Sequence, residues 1–404
     1  MARRTSWVSS AEVIRLGLQA AFFFILAGAL GVKGIGQYAG TAALVGLMQP
    51  LASWGSTDLL IKHVSRDHSL IRQWMGTSIT VTILISALLT LFLVLTAPLI
   101  LGAAFDWRIL IPLLISDMIT LRVVELSWAS LLAMERTKSA AMIRLIWAAT
   151  RFVTLIIFII VQPHPSPAQW AMLQAAVMII MMTIMLWMIW QRLGRPIFSQ
   201  PLKPMSFSEG FAFAIGTASE TVFGDVDKTL IVRMKGETIA GVYTVAYRLM
   251  SFAYVPVYAL IMVKLTAMFR AGHGSLRASL EQVRSFRLIL AIYLAFTAVA
   301  LILLGPMIPL MLGEEFAEAG IILAWLALMP AVATTHRILG AVLMTSGHAK
   351  ARGTALAITA LMNVVLSIIL IALFSWKGAV MATYVSEILL VAMYAFWIHR
   401  QLRL

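Results

Sequence analysis

The chain has no cysteine. No disulfide can brace it and no thiolate can hold a metal. Charge is scarce as well. Asp, Glu, Lys and Arg make up 12% of the 404 residues, about half the share of a soluble domain. Acidic residues are scarcest, 17 against 31 Lys and Arg, which leaves a formal charge of +14. No Walker loop, His-Glu-x-x-His or Gly-x-Ser-x-Gly occurs, so no motif points to ATP hydrolysis, zinc chemistry or a serine nucleophile. Neither a metal nor a cofactor is expected. The glycines at 31, 34, 36 and 40 match a dinucleotide loop only loosely, and they sit in an apolar hairpin.

What the sequence does have is apolar length. Hydrophobic residues reach 61%, against about 45–50% in soluble domains. That excess is too large for a globular core and reads as an all-α polytopic membrane protein. A crossing takes about 20 mainly apolar residues. On that rule the spans are 13–32, 38–61, 75–104, 109–133, 140–162, 168–191, 207–234, 239–264, 286–304, 319–346, 353–374 and 379–398. The run after MARRTSWVSSAEVIR lacks a small-residue cleavage site, so it reads as a retained first span rather than a signal peptide.

Basic residues gather on the N-terminal side of these spans. They include Arg3, Arg4, Lys62, Arg66, Arg72, Arg136, Lys138, Arg192, Arg195, Lys203, Arg270, Lys350 and Arg400. The opposite loops hold only Lys33, Arg108, Lys235 and Lys377. This bias places both termini in the cytoplasm. It also accounts for most of the positive charge without a nucleic-acid partner. The stretch 270–287, RAGHGSLRASLEQVRSFR, reads as an interfacial helix on anionic membrane lipid. Loops on the far side are short, so function is expected among the helices.

Two segments repeat. GIGQYAGTAALVGLMQP (34–50) and IAGVYTVAYRLMSFAYVP (239–256) share Gly-x-Tyr at Gly36, Tyr38 and Gly241, Tyr243, each followed by a proline, Pro50 and Pro256. LLAMERTKSAAM (131–142) and VLMTSGHAKARGTA (342–355) each turn from a span into a basic loop. These echoes predict two pseudo-symmetric six-helix lobes, 1–191 and 206–404, joined by a cytoplasmic linker at 192–205. Paired bundles of this kind commonly hold a transporter's site near the midplane.

Three stretches carry a family resemblance. LGVKGIGQYAGTAALVGLMQPLASWG resembles the first hairpin of bacterial polysaccharide flippases. DKTLIVRMKGETIAGVYTVAYRL resembles their seventh and eighth spans. LGEEFAEAGIILAWLALMPAVATTHRILGAVLMTSGHAKARG resembles their ninth-to-eleventh region. Together they point to the Wzx-type O-antigen and exopolysaccharide flippases. These belong to a wider group with multidrug/toxin extrusion antiporters and peptidoglycan-precursor flippases. The resemblance implies a non-enzymatic flippase of the bacterial cytoplasmic membrane, serving cell-surface polysaccharides such as lipopolysaccharide. Its substrate would be a polyprenyl-pyrophosphate-linked glycan, moved to the outer leaflet, and its partners would include polysaccharide polymerase machinery.

Four arginines lie deep in spans: Arg122, Arg151, Arg248 and Arg337. Each costs about 2.5–3.5 kcal/mol at a helix centre, so each must face a partner or a wet cavity. Arg122 has Glu125 within helical reach, so a local ion pair stands beside an anion-binding reading. The other three have no acidic residue within four positions, and Asp117, Glu220 or Glu387 could reach them through the fold. A guanidinium suits pyrophosphate because its planar fork donates two hydrogen bonds and stays charged. His336 either titrates or simply hydrogen-bonds a helix.

GDVDKTLIVR (224–233) sets Asp225, Asp227, Lys228 and Arg233 in the outer third of span 7. Asp225 and Lys228, three apart, can pair at a partly wet helix end, and Arg233 can reach the interface. A gating role for Asp225, Asp227 and Lys228 is the alternative. Asp-Val-Asp also matches a glycosyltransferase metal triplet, but the chain has no nucleotide-sugar domain. Methionines 178, 181, 182, 185 and 188 read as packing or lipid-facing residues. Two rival functions remain. A multidrug antiporter would use Asp117, Glu125 and Glu220 for cationic drugs. A membrane enzyme, a polymerase or lipid-sugar transferase, would need a large extramembrane loop that the sequence lacks.

Overall fold

The computed structural model describes residues 2–198, 207–257, 260–261, 275–284 and 286–403. Part of the expected linker 192–205, Lys203 included, and part of the stretch 270–287, Arg270 included, lie outside the described residues. Among the described residues there is no strand. The chain packs as two compact units, residues 1–221 and 222–404.

The first unit opens with α1, Ala2–Ala52. At about 1.5 Å per residue it is far longer than the roughly 30 Å hydrocarbon layer. Gly31 breaks it with φ 69° and ψ 173°, a conformation open to a residue without a side chain. The turn thus falls earlier than the 33–37 gap expected from hydropathy. Then come α2 (Ser56–Val64), α3 (Ile71–Leu101), α4 (Trp107–Leu113), a π-helical turn at Leu114–Thr120, α5 (Leu121–Ala133), α6 (Thr137–Val161) and α7 (Pro167–Leu193). The start of α7 follows from SPAQ. Ser166 and Gln169 form a capping box, and Pro167 occupies the first turn, where its missing N–H costs nothing.

The second unit holds most of the charged end of α8 (Phe207–Lys235), then α9 (Glu237–Phe252), α10 (Leu276–Arg284), α11 (Arg287–Leu304), α12 (Ile308–Leu312), α13 (Ala317–Leu326), α14 (Met329–Thr345), α15 (Ala349–Phe374) and α16 (Trp376–Arg403). In α10, Leu276, Leu280 and Val283 enter the apolar core, while Arg277, Glu281 and Arg284 are exposed. The described part of 270–287 is thus two-faced, with its apolar face on the protein's own core.

Apolar side chains also cover much of the surface. On α3, Leu84, Leu88, Leu91, Leu95 and Leu99 recur every three or four residues and are all exposed, Leu99 by 77%. In water such a stripe would be an aggregation surface. In a bilayer it faces acyl chains. Seven described helical stretches are long and apolar enough to cross a membrane, or eight if the bent pair Glu314–Leu326 and Met329–Thr345 is one span. This is a multi-pass membrane protein, although length and apolarity do not reach the expected twelve spans. The shortfall has a physical cause. Span 109–133 is divided by the π turn, and span 207–234 carries Glu209, Glu220, Asp225, Asp227, Lys228 and Arg233. Span 239–264 is helical to Phe252, and part of its remainder lies outside the described residues.

The second sequence echo returns as one turn built twice. After α5, the amides of Met134, Glu135 and Arg136 donate to the carbonyls of Ser130, Leu132 and Leu131. After α14, Ser346, Gly347 and His348 donate to Val342, Met344 and Leu343 in the same order. Both turns pass through a left-handed residue, Glu135 at φ 59° and Gly347 at φ 87°. This is the helix-ending motif in which a left-handed residue lets the last carbonyls find donors.

Candidate functional site

In the first unit a buried polar cluster forms around Gln174 of α7. Its Oε1 accepts from the Tyr38 hydroxyl at 3.1 Å and from Arg151 Nη2 at 3.2 Å. Its Nε2 donates to Ser116 Oγ at 3.4 Å, and that hydroxyl donates to Asp117 Oδ1 at 2.9 Å. Ser116 and Asp117 lie in the π turn of residues 114–120, a distortion that recurs at functional sites. Arg151 also lies over the Phe22 ring, 4.7 Å from its centroid. Of the expected tertiary partners, Asp117 shares a hydrogen-bonded chain with Arg151 through Gln174 and Ser116.

Arg151 also lines a cavity of about 260 Å³ with Arg15, Arg144, Glu125, Trp128 and Trp147. Helix geometry makes this wall. Arg144, Trp147 and Arg151 are spaced three and four apart on α6, so they share one face. Arg144 stacks on Trp128, 3.7 Å from the ring centroid. Arg15 Nε donates to Glu12 at 2.9 Å. Arg122, a turn along α5, pairs with Glu125 at 2.8 Å and donates to Gln49 at 3.2 Å. The local pair read from the sequence is present, and Gln49 adds to it.

The second unit has its own cluster at α8 and α9. Asp227 is 2% exposed and Lys228 is 3% exposed, whereas Asp225 is partly exposed, so the charged end of α8 has a buried side and a wet one. Lys228 Nζ reaches Asp225 Oδ1 at 3.1 Å and Asp227 Oδ1 at 3.4 Å. It also donates to the Gly224 carbonyl and lies 3.9 Å from the Tyr247 ring centroid. Asp227 accepts from the Tyr243 hydroxyl and from the Lys228 amide at 2.8 Å. One ammonium and one phenol thus engage the carboxylates of the Asp-Val-Asp triplet. Arg233 is exposed.

Farther along, His336 Nδ1 meets Glu387 Oε2, so this histidine bonds a carboxylate from α16 instead of a helix backbone. Glu387 is therefore taken by His336, and Arg337 lies over Tyr254, 4.6 Å from the ring centroid. Arg248 and Glu220 are both exposed. Three of the four deep arginines keep a buried donor without an acceptor among the described residues: Nε of Arg122, Nε of Arg151 and Nη1 of Arg337. A donor left in that state costs about 1–3 kcal/mol, and it is suited to an anion's oxygen.

Sequence reasoning passed over Arg15, Arg144, Gln174 and Tyr247. Arg15 and Arg144 are the third and fifth residues of spans 13–32 and 140–162, where a long cation can reach the interface, so the insertion cost that singles out Arg151 does not mark them. The tyrosines were visible as the repeat. Tyr38 and Tyr243, the two Gly-x-Tyr residues, are the buried donors that anchor each unit's polar cluster.

The fold has solved counterparts. The chain is similar to an inward-facing multidrug resistance MATE family transporter of the MOP superfamily, with a TM-score of 0.72 and 13% identity over 96% of this chain and 98% of that one. It is similar to the lipid II flippase MurJ in an inward closed conformation, at 0.69 and 15% over 97% and 87%. It is also similar to a MOP superfamily transporter from Pyrococcus furiosus described by the reverse polarity of its binding pocket, at 0.64 and 14% over 98% and 95%. No curated protein matches the chain. At these identities the structural similarity shows the fold alone. A family model for polysaccharide biosynthesis proteins matches residues 1–270, well over half of the sequence. With membrane-length helices and a MOP-type fold beneath that match, the chain belongs to the polysaccharide biosynthesis protein family.

Proposed function

We propose that the protein is a flippase that moves polyprenyl-pyrophosphate-linked oligosaccharide from the cytoplasmic to the outer leaflet for surface polysaccharide synthesis. The observation that carries this reading is the guanidinium of Arg151. It opens onto a cavity with Arg15 and Arg144 and keeps a buried Nε donor without a partner. Three guanidinium groups and the carboxylate of Glu125 line that wall, with Glu12 paired to Arg15 beside it. Such a surface favours an anion with several oxygens, and pyrophosphate fits planar bidentate donors. Trp128 and Trp147 add flat apolar faces of the kind on which a sugar ring can rest. Arg122 adds a further cation with a buried free donor to the first unit. In the second unit Arg337 likewise keeps a buried free donor, and Asp225, Asp227 and Lys228 form a charged cluster suited to gating. The anion leaves a negative interior, so the membrane potential favours export by about 2.3 kcal/mol per charge per 100 mV.

The antiporter reading rests on the shared fold and on Glu125. It is disfavoured by the excess of guanidinium over carboxylate, which repels a cationic drug. An export assay in a strain lacking its own flippase tests the proposal. Arg144→Gln and Arg151→Gln should each abolish surface polysaccharide while membrane protein level holds. Full export by the double variant would refute the cationic-cavity role.

A further inference from the structure

Each unit carries an apolar cavity near the basic loops at one end of its helices. In the first unit a groove of about 370 Å³ runs between α6 and α7. Its walls are apolar, with Leu131, Met142, Ile146, Met185 and Met188. Met142, Ile146 and Met188 are each more than a third exposed, so the groove opens outward to the bilayer. At its mouth stand Lys138, in the first turn of α6, and Arg192, in the last turn of α7. Both are exposed, and neither forms an ion pair among the described residues.

The second unit repeats this groove. A cavity of about 330 Å³ is lined by Leu343, Ala351, Thr354 and Ala355 on one side and by Met393, Phe396 and Trp397 on the other. The repeated turns put the two chains in register. Leu131, Ser139, Met142 and Ile143 correspond to Leu343, Ala351, Thr354 and Ala355. Met185, Met188 and Ile189 correspond to Met393, Phe396 and Trp397. The same alignment sets Lys350 against Lys138 and Arg400 against Arg192, and both of these are exposed as well. The first groove has its basic pair in its lining, and the aligned pair of the second lies in sequence next to Ala351 and three residues beyond Trp397, although most of the lining side chains differ. Topological bias explains basic residues near a membrane surface. It does not explain why they keep the same register to an apolar groove in both units.

We infer that each groove holds one anionic phospholipid of the leaflet facing the basic loops, with the phosphate on Lys138 and Arg192 or on Lys350 and Arg400, and an acyl chain along the apolar wall. The charge pattern selects this occupant. Two unpaired cations need an anionic head, and walls of Met, Ile and Leu need hydrocarbon. Lysine and arginine near a surface each favour anionic lipid by an amount that corresponds to about fivefold in binding. A pair therefore gives about twenty-five-fold. Met142, Met185 and Met188 suit chains of varied length and unsaturation, because thioether side chains adapt their shape. The inference does not depend on which substrate the flippase carries.

Native mass spectrometry tests it on the full chain released from nanodiscs of equal phosphatidylglycerol and phosphatidylcholine. The expected result is retention of two phosphatidylglycerol molecules per chain in preference to phosphatidylcholine. Lys138→Gln with Arg192→Gln should lose one of them, and Lys350→Gln with Arg400→Gln the other. These side chains are exposed and unpaired, so melting temperature should stay within a degree or two. Met142→Trp, which fills the first groove, should expel the same lipid without altering the basic pair. Equal retention of the two lipids by wild type would overturn the inference. Unchanged retention by the charge variants would do the same, as would polyprenyl phosphate outcompeting phosphatidylglycerol for the groove, since that would assign it to the substrate's tail.

Discussion

The Tyr243 hydroxyl donates to the buried Asp227 carboxylate, and the neighbouring Lys228 ammonium reaches that carboxylate and Asp225 together. Asp227 thus accepts from two donors of α8 and one of α9. Removing a donor from a buried charged hydrogen bond costs about 1.5–3 kcal/mol. Tyr243→Phe is therefore expected to lower the melting temperature of the purified protein by several degrees.

The same cluster predicts a rescue. Lys228→Met leaves Asp227 as an uncompensated buried charge, which costs about 3–5 kcal/mol. Adding Asp227→Asn removes that charge. The double variant should recover protein level above Lys228→Met alone, as read by fluorescence-detected gel filtration. A double variant worse than either single would mean that the ion pair is not the structural element described. Recovered protein with lost export would assign the pair a role in transport.

Gln174 separates support from function in the other unit. It holds Tyr38 and Arg151 through one oxygen. Gln174→Leu strands two donors and should destabilise the protein by about 2–4 kcal/mol, at roughly 1–3 kcal/mol for each stranded group. Gln174→Glu keeps the acceptor but neutralises Arg151 locally. It also removes the Nε2 donor to Ser116, so the readout is export normalised to protein level, and that ratio should fall. Normal export by Gln174→Glu would argue against an anion-binding role for Arg151.

Much of this was legible in the sequence because it is local. Arg122 with Glu125 and Asp225 with Lys228 are helix neighbours, and spacing alone joined them. The deep arginines stood out because their insertion cost is large against an apolar background. What spacing cannot show is which helices become neighbours. Gly-x-Tyr announced a repeat, yet Tyr38 reaches Gln174 and Tyr243 reaches Asp227 only once helices pack. The acid offered to the arginines, Glu387, went to His336 for the same reason. Arg248 is exposed on α9, and spacing cannot show what it faces. The π turn at 114–120 leaves no residue pattern, so the break in the fourth span was invisible. Arg144 and Arg151 shared a helix face that periodicity could have revealed.

The duplicated turn makes a prediction of opposite signs. Glu135 holds φ 59° and Gly347 holds φ 87° in matching positions. A left-handed backbone costs a side-chain-bearing residue about 1–2 kcal/mol. Glu135→Gly should therefore stabilise the protein by about 1 kcal/mol, and Gly347→Ala should destabilise it by a similar amount. Denaturant melts of both variants in one detergent check the pair of signs.

The central claim is that Arg15, Arg144 and Arg151 form a binding surface for pyrophosphate. The most direct measurement is binding of a polyprenyl-pyrophosphate disaccharide to the purified protein in nanodiscs. Each loss of a charged hydrogen bond is worth about 1.5–3 kcal/mol, roughly tenfold to a hundredfold in affinity. Wild type should bind the pyrophosphate lipid well above its neutral alcohol counterpart, and Arg144→Gln and Arg151→Gln should each weaken binding by that factor. Arg151→Lys should recover only part of it, since an ammonium keeps the charge but loses the planar fork. Equal binding by wild type and by the variant with glutamine at all three positions would contradict the account.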